Sequence, residues 1–295
     1  MLTIDVNTLG PAQLQNYLQY AIAPRPICFA TTIDIDGQVN LSPFSFFNLF
    51  STNPPLCIFS PARRVRDNTT KHTLENVLQV KECVINIVNY SMVQQMSLSS
   101  TEYAKGINEF EKAGFTMLPS DLVRPPRVAE APVQMECTIT EVIQLGERPG
   151  AGNLVLAEIK RIHIQEDILD DEGKIDQVKI DLVARLGGDW YCRVTPENLF
   201  KVAKPLTTLG IGVDALPKHV RHSMVLTGND LGILGNVEVL PSDDDVDAMR
   251  TMHQVKEVLD ATIGDAVNRE RELHELAQLL LRNGNVTDAL KIVLL

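Results

Sequence analysis

Over roughly the first two thirds of the chain, Val, Ile and Leu fall in short runs separated by Gly, Pro, Asn and Asp, the texture of strands and turns. This pattern predicts strands over Arg25–Thr32, Pro55–Ser60, Cys83–Asn89, Val133–Leu145, Asn153–Gln165 and Ile180–Leu186. The last three partly alternate apolar and polar side chains, the period of a strand with one buried face. Asp36-Gly37 stands between alternating apolar residues, and glycine accepts positive φ, so a hairpin is predicted there. Leu145-Gly146-Glu147-Arg148-Pro149-Gly150 reads as a turn, which should pair its two flanking strands antiparallel. Short helices are predicted in between. Thr8 would cap Pro11–Tyr20, Thr73 would cap Leu74–Lys81, and Asn108–Gly114 gives a turn or two ending at glycine. Numerous strands with small helical insertions favour an antiparallel barrel over a doubly wound sheet.

Beyond residue 204 the texture changes. Leu206 to Pro241 is rich in glycine and has little periodicity. Ser242-Asp243-Asp244-Asp245 then precedes Val246, Met249, Met252, Val255, Val258 and Leu259, spaced for one face of one helix with an acidic start. A second helix is predicted over Asp265–Arg282, stopped by Asn283-Gly284, and a short third over Thr287–Leu294. Residues 1–204 and 205–295 are therefore expected to be a β domain and a helical extension. The apolar stripes of the extension are too large to leave in water, and are expected to pack on the barrel or clasp a partner subunit.

Charge narrows the function. The 295 residues hold 27 Lys and Arg against 38 Asp and Glu, a net charge of −11. Affinity for a phosphate backbone comes from neutralising cations, so nucleic-acid binding is not expected as the main activity. No run reaches the roughly 18–20 apolar residues of a membrane span, and the N-terminus lacks a basic start and apolar core. The five cysteines are odd in number and none forms a Cys-x-x-Cys pair. Free buried thiols in a reducing cytoplasm are expected, with no membrane partner and no metal site. His219-x-x-His222 has ligand spacing, yet no carboxylate or cysteine lies close by in sequence. Gly210-Ile211-Gly212-Val213-Asp214-Ala215 fits a relaxed dinucleotide fingerprint, but a poor strand precedes it and Pro217 disturbs the helix it requires.

Two segments carry candidate chemistry. Arg63-Arg64-Val65-Arg66-Asp67-Asn68-Thr69-Thr70-Lys71-His72-Thr73 has a local charge of +3 in an acidic chain, follows a strand and ends at a helix start. Cations, a hydroxyl and the free amides of a helix start make a phosphate pocket; the alternative is a solvated loop. Asn40-Leu41-Ser42-Pro43-Phe44-Ser45-Phe46-Phe47-Asn48 holds three of the nine phenylalanines and, with Pro43, makes a poor internal strand. It either lays backbone amides and aromatic edges against a flat ligand or lines a core. On Arg161-Ile162-His163-Ile164, His163 points away from the face shared by Ile162 and Ile164.

Taken together and in order, several motifs resemble the flavin-reductase-like, FMN-binding split-barrel family. They are Pro24-Arg25-Pro26-Ile27, Asp36-Gly37, Ser42–Asn48, Asn53-Pro54-Pro55, Lys71-His72-Thr73-Leu74-Glu75-Asn76 and Glu109–Gly114. Pro125–Pro132, Glu158–His163 and Val183–Tyr191 continue the series, so the resemblance covers about residues 20–195. The chain departs from the family pattern at His72, where the family has Asp. The resemblance implies a six-stranded antiparallel split β-barrel that works as a homodimer, with FMN near the subunit interface. It also implies ring contacts from Ser42–Asn48 (Pro43, Phe44, Ser45, Phe46, Phe47 and Asn48 among them), largely through backbone groups, phosphate contacts from Ser60, Arg64, Lys71 and Thr73, and further cofactor contacts from Arg25 and Arg185. His163 and Asn48 become the candidate catalytic residues, with Arg185 and the Gly187-Gly188 turn close by. The implied activity is an FMN-dependent oxidoreductase that moves a hydride from NADH or NADPH to FMN. The alternative is an FMN-binding electron carrier that exchanges electrons with a partner protein.

Overall fold

The Asp36-Gly37 hairpin opens the main sheet. In the computed structural model, which describes all 295 residues, Cys28–Ile33 (β1) and Val39–Phe44 (β2) pair antiparallel, and Gly37 takes φ 84° at the turn. Five more strands join them: Phe47–Thr52 (β3), Pro55–Phe59 (β4), Glu82–Ile87 (β5), Val133–Gln144 (β6) and Asn153–Ile164 (β7). Their spatial order is β2-β1-β5-β6-β7-β4-β3, and every ladder is antiparallel.

This arrangement corrects the expected six-stranded barrel in two respects. The sheet has seven strands, and its ladder is open between β2 and β3. Both edges come from the segment that Pro43 made a poor internal strand. Proline has no N–H to donate, and an edge strand tolerates that loss. Only Ser45 and Phe46 connect the two edges. Laid flat, seven strands would hold their edges roughly 29 Å apart. The link from Phe44 to Phe47 spans at most about 11 Å. The sheet is therefore curled enough to bring the Phe44 end of β2 to the Phe47 end of β3, and at this seam the two edges do not hydrogen-bond to each other.

Curling gives the sheet an inner and an outer face, and both are covered over β1, β5 and β6. The inner face packs Cys28, Ala30, Phe59, Cys83, Ile85, Met135, Cys137 and Val155. The outer face sets Phe29 and Leu41 against Met92, Met96, Phe110 and Val128. This explains why β1 is buried at all six positions and shows no alternation in the sequence. Cys28, Cys57, Cys83 and Cys137 are buried free thiols, and Cys192 is a half-buried one.

The remaining elements depart locally from the sequence pattern. Helix α1, Pro11–Ala21, begins after Gly10; Thr8 instead closes a preceding turn by donating to the Asp5 carbonyl at 2.7 Å. Helix α2, His72–Gln79, has Lys71 as its N-cap, so Thr73 lies inside the first turn. Helix α3, Val93–Ser99, is not marked by the hydrophobic pattern. In α4, Glu109–Ala113, the Asn108 side chain caps the start and Gly114 ends it at φ 71°. The predicted strand over 180–186 shortens to Val183–Arg185, because Asp181 takes φ 52° and interrupts the extended chain. It pairs with Arg25–Pro26 and Tyr191–Arg193 in a separate three-stranded sheet.

The chain divides into two compact units, Met1–Phe200 and Lys201–Leu295. In the second, the helices are Lys218–Arg221 (α5), Gly228–Gly235 (α6), Asp243–Ala248 (α7), His253–Ala261 (α8), Ala266–Arg282 (α9) and Val286–Val293 (α10). The single helix predicted from Ser242 is split in two. Thr251 bonds back to the Ala248 carbonyl at 2.8 Å in a tight turn, and Met252 is extended. The apolar stripes bury one another: Val255, Leu273, Ala277, Leu281, Leu290 and Ile292 close on Leu216, Val220 and Leu234. No helix in the protein is long and apolar enough to cross a membrane.

Candidate functional site

At the seam, the chain direction is set by one backbone bond. Ser60, just after β4, donates its N–H to the Phe46 carbonyl at 2.9 Å and pins the Ser45-Phe46 link beside the basic loop. Phe44 is buried with its ring 5.1 Å from that of Phe59, and the Lys71 ammonium lies 5.3 Å from the Phe44 ring centre. Phe46 is 42% exposed, and the Arg25 guanidinium lies 6.0 Å from its ring. Phe47 turns into the inner core, Pro43 pairs across to Phe29 and Ser45 is half-buried. Asn48 is exposed on β3, where its side chain accepts from the Leu49 N–H at 2.8 Å. Ser60 uses its hydroxyl to accept from the Asn153 N–H at 3.2 Å.

The cations of the basic loop are not equivalent. Arg63 is spent on structure, donating to the Asn68 side chain at 2.8 Å and its carbonyl at 2.7 Å. Arg64 donates to the Thr70 carbonyl at 2.5 Å and Thr69 Oγ1 at 2.9 Å, and its Nε reaches Glu102 at 3.0 Å. The Lys71 ammonium makes no hydrogen bond or ion pair, although the residue is only half exposed to water. Burial, and then the neighbouring Arg64 charge, push its pKa below the ordinary 10.5, while Glu102 pulls the other way. Beside it, the N–H groups of His72 and Thr73 in the first turn of α2 have no acceptor. Arg64, Lys71 and His72 share one small cleft with Asn40 and Ser42 of β2 and with Glu102, Tyr103 and Glu109. An unpaired ammonium, a guanidinium, a serine hydroxyl and two free amides at a helix start form a donor set suited to a phosphate.

Two carboxylates complete the cleft. Glu109 is buried and accepts from the Leu41 N–H at 3.0 Å. Its burial raises the pKa, opposed by the amides around it and by His72. Thr73 lies beneath the cleft, fully buried, with its hydroxyl accepting from Asn40 Nδ2 at 3.0 Å. Its role there is to fix Asn40. Glu102 carries no mark in the sequence that sets it apart, and Asn40 and Glu109 fall in segments noted above but without a site role of their own; the folding of β2 and the α3–α4 segment brings the three together. Ser42 belongs to the aromatic segment already noted.

Arg25 and Arg185 are built into the frame. Arg25 is nearly buried and donates to the carbonyls of Gln19 at 2.7 Å, Ile22 at 2.5 Å and Leu186 at 2.9 Å, tying the end of α1 to the Gly187-Gly188 turn. The Tyr20 ring lies so close to Gly187 that a Cβ there would collide with it. Arg185 pairs with Arg25 in the small sheet, donates to the Tyr191 hydroxyl and the Gly188 carbonyl, and stacks 4.6 Å from the Tyr191 ring.

His163 lies elsewhere. Its Nε2 is 2.6 Å from Oε1 of Glu136, a fully buried carboxylate. Glu136 also accepts from the N–H groups of Asp121 at 3.0 Å, Leu122 at 2.6 Å and Val123 at 3.2 Å. Burial pushes the Glu136 pKa up, but these amides and His163 outweigh it and hold the group at about 2. Asp121, whose carboxylate is 2.6 Å from Arg161, stands with them. Asn48, Ile58 and Leu156 form a row across β3, β4 and β7. His163 is seven residues further along β7 than Leu156. That is roughly 23 Å at the rise of a strand. One chain therefore does not bring His163 to Asn48.

The fold and the cleft can be set beside known proteins. The family model described as "Flavin reductase like domain" matches residues 20–179. An uncharacterised protein of Aquifex aeolicus (strain VF5) is 36% identical over 181 residues, covering 61% of this chain and 90% of its own. The crystal structure of nitrilotriacetate monooxygenase component B from Bacillus cereus superposes with a TM-score of 0.64 at 29% identity, covering 68% of this chain and 98% of that one. The 2-nitrobenzoate 2-nitroreductase NbaA of Pseudomonas fluorescens gives a TM-score of 0.63 at 26% identity, over 72% and 100%. The family match lies wholly within the unit Met1–Phe200. On this evidence the chain belongs to the flavin reductase like family.

Proposed function

We propose that this protein is an FMN-dependent oxidoreductase of the flavin reductase type, acting as a homodimer with the flavin near the subunit interface and NADH or NADPH as co-substrate. Bound FMN supplies the redox chemistry by accepting a hydride and releasing electrons. The observation that carries the reading is the Lys71 cleft, which holds a half-buried ammonium without an ion-pair partner at the start of a helix whose first two amides are free. Lys71, Arg64 and the His72 and Thr73 amides would hold the phosphate, and Thr73 would act by fixing Asn40. Such a charge-dense set distinguishes FMN from riboflavin.

The ring would lie along the Ser45-Phe46 link, where Phe46 offers an exposed aromatic face and Asn48 a side-chain amide. A ring held there is oriented by fixed backbone and shielded from water on one side. Leu49 and Phe50 on the edge strand β3 are 54% and 63% exposed. Adjacent exposed apolar residues on an edge support a second subunit at this place. A role for His163 at the ring requires the partner subunit to supply it, given its distance from Asn48.

Steady-state oxidation of NADH and NADPH, measured with and without added FMN, tests the proposal. Oxidation of either nucleotide that depends on FMN is expected. Tight FMN binding without nucleotide oxidation would replace this reading with the electron carrier, and failure to bind FMN would overturn both.

A further inference from the structure

The cleft already holds an anion of its own. Glu102 lies in the segment between α3 and α4, with Oε1 3.0 Å from Arg64 Nε and Oε2 2.7 Å from an Arg66 terminal nitrogen. Each carboxylate oxygen thus engages one guanidinium of the basic loop. Arg64 is largely covered, at 19% side-chain exposure, but Glu102 is half exposed and Arg66 more so. Exposed ion pairs of this kind are weak and exchange readily. A carboxylate and a phosphate are competing ligands for the same guanidinium geometry. Arg64 also borders Lys71, the cation that has no partner, so a phosphate drawn to Lys71 arrives beside the Arg64–Glu102 pair. It meets attraction from Arg64 and Lys71 and repulsion from Glu102 across one small space.

We propose that Glu102 is a built-in competitor for the phosphate end of the flavin. It occupies Arg64 and Arg66 while the cleft is free and gives way when a phosphate takes its place, which sets FMN affinity below what the cations alone would give. The inference rests on the reading of this cleft as the FMN phosphate site. The competing role for Glu102 is a prop that orients Arg64, in which case removing its charge loosens FMN binding.

The test is the affinity of the full-length protein and of Glu102→Gln for FMN and for riboflavin, read by flavin fluorescence. The glutamine keeps the size and a hydrogen-bond acceptor and removes only the charge. The expected result is FMN binding about three- to tenfold tighter in Glu102→Gln with riboflavin binding unchanged, since riboflavin has no phosphate for Glu102 to oppose. Unchanged or weaker FMN binding in the variant overturns the inference while leaving the flavin reading intact. An equal gain for riboflavin also overturns it, because the effect then does not pass through the phosphate. If the wild-type protein binds neither flavin, the function proposed above fails, and this inference with it.

Discussion

Lys71 shows how much one residue's meaning depends on its surroundings. In the sequence it is one cation in a basic run, equally consistent with a solvated loop. In the structure its burial and lack of a partner separate it from Arg63, which is consumed by Asn68, and from Arg64, which is shared with Glu102. Lys71→Met should weaken FMN binding by on the order of tenfold to a hundredfold and leave riboflavin binding nearly unchanged. It should not lower the melting temperature, because the ammonium has no ion pair to lose and its burial is unfavourable. Its lowered pKa means that FMN affinity should fall on the alkaline side at a lower pH than an ordinary lysine would give, which a binding titration against pH can follow. Glu136 makes the opposite case. Nothing in the sequence marks it, yet it collects three amides and His163. Because its pKa lies at about 2, below the ordinary 4.5, its contribution to stability is present above pH 4.5 and is lost as pH falls towards 2. Glu136→Leu strands those donors and should cost about 3 kcal/mol in urea denaturation at neutral pH.

At the level of elements, strands with a strong local pattern were the legible part. β6 and β7 fall close to their predicted spans because alternation and the intervening turn are local signals. The edge pairings were not legible, because they depend on contacts distant in sequence. Pro43 correctly signals a strand unfit for the sheet interior, but only the curled sheet shows that the same segment furnishes both edges. Thr8 and Thr73 have the right chemistry for caps and lost those roles to Gly10 and Lys71. At the Gly187-Gly188 turn, Tyr20 of α1 leaves no room for a Cβ on Gly187, and Arg25 bonds the Leu186 carbonyl just before it. Gly187→Ala should therefore displace Tyr20 and destabilise the protein by about 1–3 kcal/mol, measurable by chemical denaturation.

Across the whole molecule, the net charge of −11 and the local +3 of the basic loop act on different scales: the first is spread over both units, and the second is confined to the loop that borders the proposed phosphate cleft. The second unit, Lys201–Leu295, forms its own core, in which much of the apolar stripe of its helices is buried. Its glycines also have a packing role. Gly210 and Gly235 approach so closely that a Cβ on Gly210 would lie 2.8 Å from the Gly235 carbonyl, which accounts for part of the apparent dinucleotide fingerprint. His219 and His274 stack with ring centres 6.2 Å apart, His219 bonding the Val293 carbonyl and His274 the Ser223 hydroxyl. Burial, and to a lesser degree His219, lower the His274 pKa below 6.5, against a pull from Glu270. The folded unit thus favours neutral His274, and its contribution to stability is present above pH 6.5 and lost as pH falls below that value. Thermal unfolding followed by circular dichroism should show this loss between pH 7 and pH 5, and His274→Gln should flatten the dependence.

The proposed function requires this fold to bind FMN and, through it, to accept electrons from a reduced nicotinamide nucleotide. The most direct test is the visible absorption spectrum of the purified protein with stoichiometric FMN under anaerobic conditions, before and after NADH or NADPH is added. A bound-flavin spectrum that bleaches on addition of one of the nucleotides is expected. A bound-flavin spectrum that neither nucleotide changes, or FMN that remains free in solution, would contradict the proposed function.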